Sequence, residues 1–313
     1  MNPKELHEEN DRSFKSELAL ALSQGERRAA DTGFESVFKF SQRKHVLASA
    51  HPIRTPGGIN RSMKAVILAA GFGTRLYPLT RNIPKALLKL GDKTLLDHLV
   101  GKLDRFPIID EIVIVSSKRF YQNFKRWKKD ALYQKPIRII HNGVNDPEKR
   151  LGAVRDLELS LRPSRGTPES FLVFCGDNYF DFPIGYFLLP CLGHSRCTFI
   201  GLYDVREKAL ASRYGVVEMD PVGRITRFNE KPSAPASTKV SVGVYHMSPE
   251  ARLRLHEYLD IEKRNPDRIG DFFAWLIGKE PVYGVAFEGA WFDIGSKESY
   301  LEALRHVEEH LPR

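Results

Sequence analysis

From Met63 onward, short apolar runs alternate with stretches in which apolar residues recur every three or four positions. The runs predict buried strands at 65–70, 111–116, 137–141, 171–175, 197–203, 215–220, 240–246 and 281–287. The helical spacing predicts helices at 95–105, 122–133, 152–161, 249–259, 270–276 and 297–309. Strand and helix in alternation imply an α/β fold: a doubly wound, mainly parallel sheet with helices on both faces. Ligands in such sheets gather at the carboxyl ends of the strands. Arg75, Asp177 and Asp293 each follow a strand-like or apolar run, which places all three at that edge.

The first 62 residues have a different character. A short helix is predicted at 4–22, but no core pattern follows, and 51–61 is rich in Pro, Gly and Arg. Acidic residues precede the short apolar run at 18–22, which excludes a secretory signal and counts against a transit peptide. Residues 1–62 are expected to be a flexible extension or an unused upstream start, with one domain over 63–313.

At 313 residues and 42% hydrophobic content, the chain has ample material for a large core. No apolar run approaches the roughly 18 residues that span a bilayer. Cys175, Cys191 and Cys197 show neither zinc-ligand spacing nor an even-numbered disulfide framework, pointing to a reducing, cytoplasmic setting. Cys175 reads as a small buried strand residue. A net charge of +9 is compatible with nucleic acid, anionic membranes or phosphorylated small molecules. The densest basic cluster, Lys125-Arg126-Trp127-Lys128-Lys129, reads as the solvated face of a helix with Phe124 and Trp127 turned inward. No nucleic-acid partner and no membrane are therefore expected.

Candidate chemistry begins at Gly71-Phe72-Gly73-Thr74-Arg75 and continues at Pro84-Lys85. Glycines straight after a strand let backbone N–H groups approach a phosphate, and Arg75 and Lys85 add two cations near the same loop. A Walker A loop would need a Lys-Ser/Thr pair that is missing here. A dinucleotide fingerprint would need a third glycine where Leu76 stands. The combination suits a triphosphate.

These residues resemble the N-terminal motif of the sugar-phosphate nucleotidylyltransferases, the family of glucose-1-phosphate thymidylyltransferases and uridylyltransferases. Four later stretches fit in the same order: 171–178, 214–220, 228–232 and 291–295. The resemblance implies the Rossmann-like sheet of the nucleotide-diphospho-sugar transferases. It also implies attack of a sugar 1-phosphate on the α-phosphorus of a nucleoside triphosphate, with release of pyrophosphate and with Mg2+ as cofactor. By this resemblance Arg75 and Lys85 are catalytic, Arg75 on the leaving pyrophosphate and Lys85 on the α-phosphate. Asp177 and Asp293 would hold Mg2+. Leu68, Ala70, Gly71, Gly73, Thr74, Asn142 and Gly152 would line the nucleotide, and Tyr214, Gly215, Glu230, Lys231 and Gly243 the sugar phosphate.

The base pocket departs from the family pattern. A run of small residues is expected there, whereas this chain carries Arg155 and Asp156 within Gly152-Ala153-Val154-Arg155-Asp156-Leu157. The overall pattern favours dTTP or UTP with glucose 1-phosphate; CTP or GTP with another sugar or alditol phosphate stays open, as does homo-oligomerisation. Two other classes compete. A glycosyltransferase of similar shape would want an Asp-x-Asp metal motif, where Gly176-Asp177-Asn178 offers one aspartate. A catalytically silent subunit on the same fold predicts loss of Arg75, Lys85 or an aspartate, and all are present.

Overall fold

The structure, a computed structural model, describes residues 63–162 and 170–310. The expectations for 1–62 lie outside the described residues. The strands used below are β1 (Met63–Ala69), β2 (Ile109–Ser116), β3 (Ile137–His141), β4 (Phe171–Cys175), β5 (Asn178–Phe180), β6 (Thr198–Asp204), β7 (Gly215–Met219), β8 (Ile225–Glu230), β9 (Lys239–Met247), β10 (Val282–Phe287) and β11 (Trp291–Asp293). The helices are α1 (Leu95–Leu103), α2 (Tyr121–Asp130), α3 (Ala153–Leu161), α4 (Gly185–Gly193), α5 (Lys208–Ala211), α6 (Pro249–His256), α7 (Ile269–Leu276) and α8 (Lys297–His310).

Among the described residues the central sheet has nine strands, running β8-β7-β9-β4-β1-β2-β3, with β6 on β9 and β10 on β6. Strands β4, β1, β2 and β3 are mutually parallel, and their unbroken Val/Ile/Leu/Phe runs are buried because helices cover both faces. The other half is mixed: β9 runs antiparallel to β4, β6 and β7, while β10 is parallel to β6. The α/β class read from the sequence therefore holds, with the parallel half carrying the glycine loop.

One apolar layer gathers Ile67, Leu99, Ile112, Phe124 and Phe187 on one side of the sheet. A second gathers Val66, Val113, Leu157, Phe272 and Phe273 on the other. Side chains alternating along β1 thus feed both layers, so β1 is clamped at the centre. That rigidity matters because the loop leaving β1 is where the site is built.

Candidate active site

Three loops meet at the carboxyl edge of β4, β1 and β3 and border a cleft of about 500 Å³. Leaving β1, the chain turns through Gly71 and Gly73. A Cβ at Gly71 would meet no atom within 4 Å, so its backbone faces open space. Gly73 has φ 61°, and its carbonyl accepts a hydrogen bond from Thr80 Oγ1 at 2.7 Å, which pins the turn. Phe72 points the other way, buried against Phe120. The motif therefore buries its one large side chain and leaves backbone and Arg75 facing the cleft.

Pro84 is extended and opens a single turn at Lys85–Leu87, aiming the Lys85 side chain across the cleft mouth. Its Nζ donates to Asp177 Oδ2 at 2.8 Å. Asp177 follows β4 and Gly176, whose N–H donates to the Leu68 carbonyl at 2.9 Å, drawing the end of β4 against β1. β11 completes this end. It pairs antiparallel with β5, setting Asp293 opposite Asn178, and the Ile294 N–H donates to the Asp177 carbonyl at 2.9 Å. Asp177 and Asp293, 116 positions apart in sequence (293 − 177), therefore lie side by side. Gly295 brings the turn after β11 up to Arg75: a Cβ there would sit 3.4 Å from Asp293 Oδ2 and 3.7 Å from Arg75 Nη2.

Electrostatics tie this group together. Burial pushes the Asp177 carboxyl up, but the charge and hydrogen bond of Lys85 outweigh it, and its pKa is lowered overall. Among the described residues Asp293 has no such direct partner. Burial first, and the negative charge of Asp177 second, push it up to about 6, with Lys85, Arg75 and Lys231 opposing. Two adjoining carboxylates form an oxygen donor set of the kind Mg2+ takes, one or two carboxylates completed by phosphates and waters. Among the described residues no group of three His, Cys, Asp or Glu is gathered. Asn178 is not a second ligand in waiting. Its amide donates to Asp177 Oδ1 at 3.1 Å and accepts from Trp291 Nε1 at 2.8 Å, which occupies both ends.

The opposite end of the cleft is built differently. Asn142 follows β3, and Gly152 opens α3 with φ 89°. A Cβ at Gly152 would collide with the Pro266 carbonyl and lie 2.6 Å from Asp267 Cα. The first N–H groups of α3 are satisfied by the same distant loop: Ala153 donates to Asp267 O and Val154 to Pro266 O, each at 3.0 Å. Arg150 and Asp267 add an ion pair at the rim, 2.9 Å from Nε to Oδ1.

Of the residues expected from sequence, Leu68, Ala70, Gly71, Gly73, Thr74, Arg75, Lys85, Asn142, Gly152, Asp177 and Lys231 line this cleft. Tyr214, Gly215, Glu230, Gly243 and Asp293 do not line it. Tyr214 sits edge-on to Trp291, with ring centroids 4.9 Å apart. Its carbonyl accepts from the Lys231 N–H at 3.0 Å, and Lys231 takes a left-handed φ of 51°. Gly215 and Gly243 leave no room for a side chain, pressed against Phe228 and Cys175. Burial raises the pKa of Glu230, which lies between Gly215 and Gly270. Sequence reasoning missed the wall formed by Pro147, Arg150, Asp267 and Arg268, and it noted Asp156 only as a departure from pattern. The 265–268 loop carries no motif; only folding brings it to Gly152.

Residues 64–310 match the family described as Nucleotidyl transferase. Mannose-1-phosphate guanylyltransferase 1 of Arabidopsis thaliana is 31% identical over 248 residues, covering 78% of this chain and 64% of that protein. The catalytic subunit beta of mannose-1-phosphate guanylyltransferase from Danio rerio is also 31% identical, covering 77% of this chain and 64% of that one. The chain thus spans just under two thirds of the length of these relatives. A solved UDP-glucose pyrophosphorylase complexed with UDP-glucose superposes with a TM-score of 0.66 at 21% identity, covering 79% of this chain and 99% of that one; at that identity it carries the fold alone. The mostly parallel sheet with flanking helices is thus the Rossmann-like fold of the nucleotide-sugar transferases, and the chain belongs to the Nucleotidyl transferase family.

Proposed function

We propose that the chain transfers a nucleoside monophosphate from a nucleoside triphosphate to the phosphate of a sugar 1-phosphate, releasing pyrophosphate. The observation that carries this reading is the Lys85–Asp177 pair at 2.8 Å, with the glycine loop and Arg75 across the cleft and Asp293 beside Asp177. Phosphoryl-group chemistry is catalysed mainly by positioning and charge neutralisation. The attacking phosphate oxygen is already anionic, so no general base is needed.

Each residue has a role that its geometry allows. The open backbone at Gly71 gives N–H groups room to approach phosphate oxygens. Arg75 offers a planar fork of donors to the leaving pyrophosphate, and Lys85 a mobile point charge that can pass from Asp177 to the α-phosphate. Lys231 faces the same cleft and suits the phosphate of the sugar substrate, with Tyr214, Gly215, Glu230 and Gly243 shaping the ground behind it. Asp177 and Asp293 would hold Mg2+, which when bound neutralises charge on the transferring phosphates.

For the finer identity we place GTP and mannose 1-phosphate first, supported by the two relatives named mannose-1-phosphate guanylyltransferases at 31% identity. The dTTP or UTP and glucose 1-phosphate pairing expected from the sequence pattern stands second. A glycosyltransferase reading loses ground because the side chain of Asn178 is committed to Asp177 and Trp291. The test is a matrix of five triphosphates against several sugar and alditol phosphates, scored by pyrophosphate release. Release with at least one pair is the expected result. Consumption of nucleotide sugars with no pyrophosphate chemistry would overturn the proposal.

A further inference from the structure

Asp156 is the one buried carboxylate-bearing residue among the described residues, 7% exposed, and it lines the cleft. It stands on α3, at the end remote from the phosphate-facing charges. Strands lie about 4.8 Å apart, so the ground beyond β3 is about 10 Å along the edge from the loop after β1. Asp177, after β4, is one strand away on the other side. A triphosphate held by Gly71, Arg75 and Lys85 therefore points its base toward Asn142, Gly152 and Asp156.

Among the described residues the Asp156 side chain takes one hydrogen bond, from Asn142 Nδ2 to Oδ1 at 2.9 Å. The Asn142 amide cannot turn over without loss, because its oxygen accepts from the Val144 N–H at 3.0 Å. Among the described residues no cation is paired with the carboxylate: neighbouring Arg155 is paired with Asp260, and Arg150 with Asp267. Burial raises Asp156 to about 6, so it is ionised at neutral pH yet short of donors. An acceptor-only group in this state wants a ligand with donors side by side.

The bases differ in this respect. Guanine presents N1–H and the exocyclic N2 amino group next to each other, two donors matched to two carboxylate oxygens. Uracil and thymine present one N–H between two carbonyl oxygens, which a carboxylate repels. Adenine and cytosine each set an amino group beside a ring-nitrogen acceptor. We propose that Asp156, oriented by Asn142, is the specificity residue that reads the guanine edge of GTP. This inference rests on the nucleotidyl-transfer reading above and adds the residue that selects the base.

The test uses the full chain with mannose 1-phosphate and compares GTP, ITP, UTP and dTTP by pyrophosphate release. ITP is guanosine triphosphate without the N2 amino group. A lost hydrogen bond to a charged group is worth about 10-fold or more, so the wild type should favour GTP over ITP in kcat/KM by that factor. In Asp156→Asn that preference should fall toward unity, with the loss carried by KM and by GTP binding in calorimetry; a merely structural residue would lower both triphosphates equally. Should Asp156→Asn fail to fold, equal use of GTP and ITP by the wild type still overturns the proposal. Equal use of GTP and ITP, preference for UTP or dTTP, or an unchanged ratio in the variant would overturn the role of Asp156 while leaving nucleotidyl transfer intact. Absence of pyrophosphate release with every triphosphate would overturn both.

Discussion

The two ends of the cleft are built on opposite principles. At the β1/β4 end, cations and carboxylates crowd together: Lys85 bonds Asp177, Arg75 approaches Gly295, and Asp293 lies beside Asp177. At the β3/α3 end the formative contacts are backbone to backbone, with the 265–268 loop closing over Gly152 and capping α3. The difference follows from what the proposed function asks of each end. A phosphoryl transfer needs fixed charge wherever it occurs, whereas a base is selected by shape and by a few hydrogen-bonding groups. Charge variants should therefore cripple rate at the first end and spare folding, and backbone variants should cost stability at the second.

The largest expected effect tests the first half of that contrast. Lys85→Ala should lower kcat by about 100-fold or more with the fold intact, since one charged contact made at the transition state is worth about 3 kcal/mol. Arg75→Lys should also be harmful despite keeping its charge, because the guanidinium fork is lost. Normal turnover by both variants would mean that this end is a surface cluster and not a phosphate cage.

Next come the carboxylates. Asp177→Asn and Asp293→Asn should each raise the Mg2+ concentration for half-maximal rate by about 10-fold or more. The double variant should do little worse than the worse single one, because groups sharing one ion act as a unit. Strictly additive shifts would separate the two carboxylates and return Asp293 to a structural turn.

How much was legible beforehand also divides along the cleft. Gly71 to Arg75 and Pro84-Lys85 are local in sequence, so their chemistry could be read directly. The strands at 137–141 and 171–175 were placed to the residue, because buried parallel strands appear as unbroken apolar runs. By contrast β5 and β11 have only three residues each and exist because they pair with one another. β8, Ile-Thr-Arg-Phe-Asn-Glu, shows too few apolar positions to stand out. α4 was hidden by Pro190 within it, and α5 by its four-residue length. At the opposite end Asn142 and Gly152 were read from sequence and line the cleft, but the facing wall was illegible for the same reason as β11: Arg150 and Asp267 are 117 positions apart.

A glycine exchange compares the two ends directly. Gly152→Ala forces a side chain onto φ 89° and into the Pro266 carbonyl. A loss of about 1–3 kcal/mol in urea denaturation is expected from the backbone conformation alone. Gly71→Ala meets open space and should change stability by no more than about 1 kcal/mol. Equal losses would show that the base end is no more tightly packed than the phosphate end.

Asp156 supplies a pH-dependent version of the same comparison. Burial raises its carboxyl from an ordinary 3.8 to about 6, with Asn142 opposing. A carboxyl raised by folding favours the protonated folded state, so it costs nothing below about 4 and its cost grows as pH rises to about 6, then levels off. The groups sharing its wall are Arg150, Asp267 and Arg268, of which the first two neutralise each other. Asp156→Asn should thus be more stable than the wild type by about 1–3 kcal/mol at pH 8 and equal to it at pH 4. A variant less stable at both pH values would make Asp156 a structural support of α3.

The smallest effect is expected at the rim. Arg150 and Asp267 form a two-pronged ion pair, Nε to Oδ1 at 2.9 Å and Nη2 to Oδ2 at 3.3 Å, but the arginine side chain is 67% exposed. Exposed pairs typically contribute about 0.2–1 kcal/mol, and salt screens them further. The loop is held independently, since Ala153 and Val154 donate to the carbonyls of Asp267 and Pro266. Arg150→Ala should therefore lower stability by less than about 1 kcal/mol, and the loss should shrink in 0.5 M salt. A loss as large as that of Gly152→Ala would transfer the work of closing the base end from the backbone clamp to the ion pair. The distinction between a charged phosphate end and a backbone-built base end would then fail at its own rim.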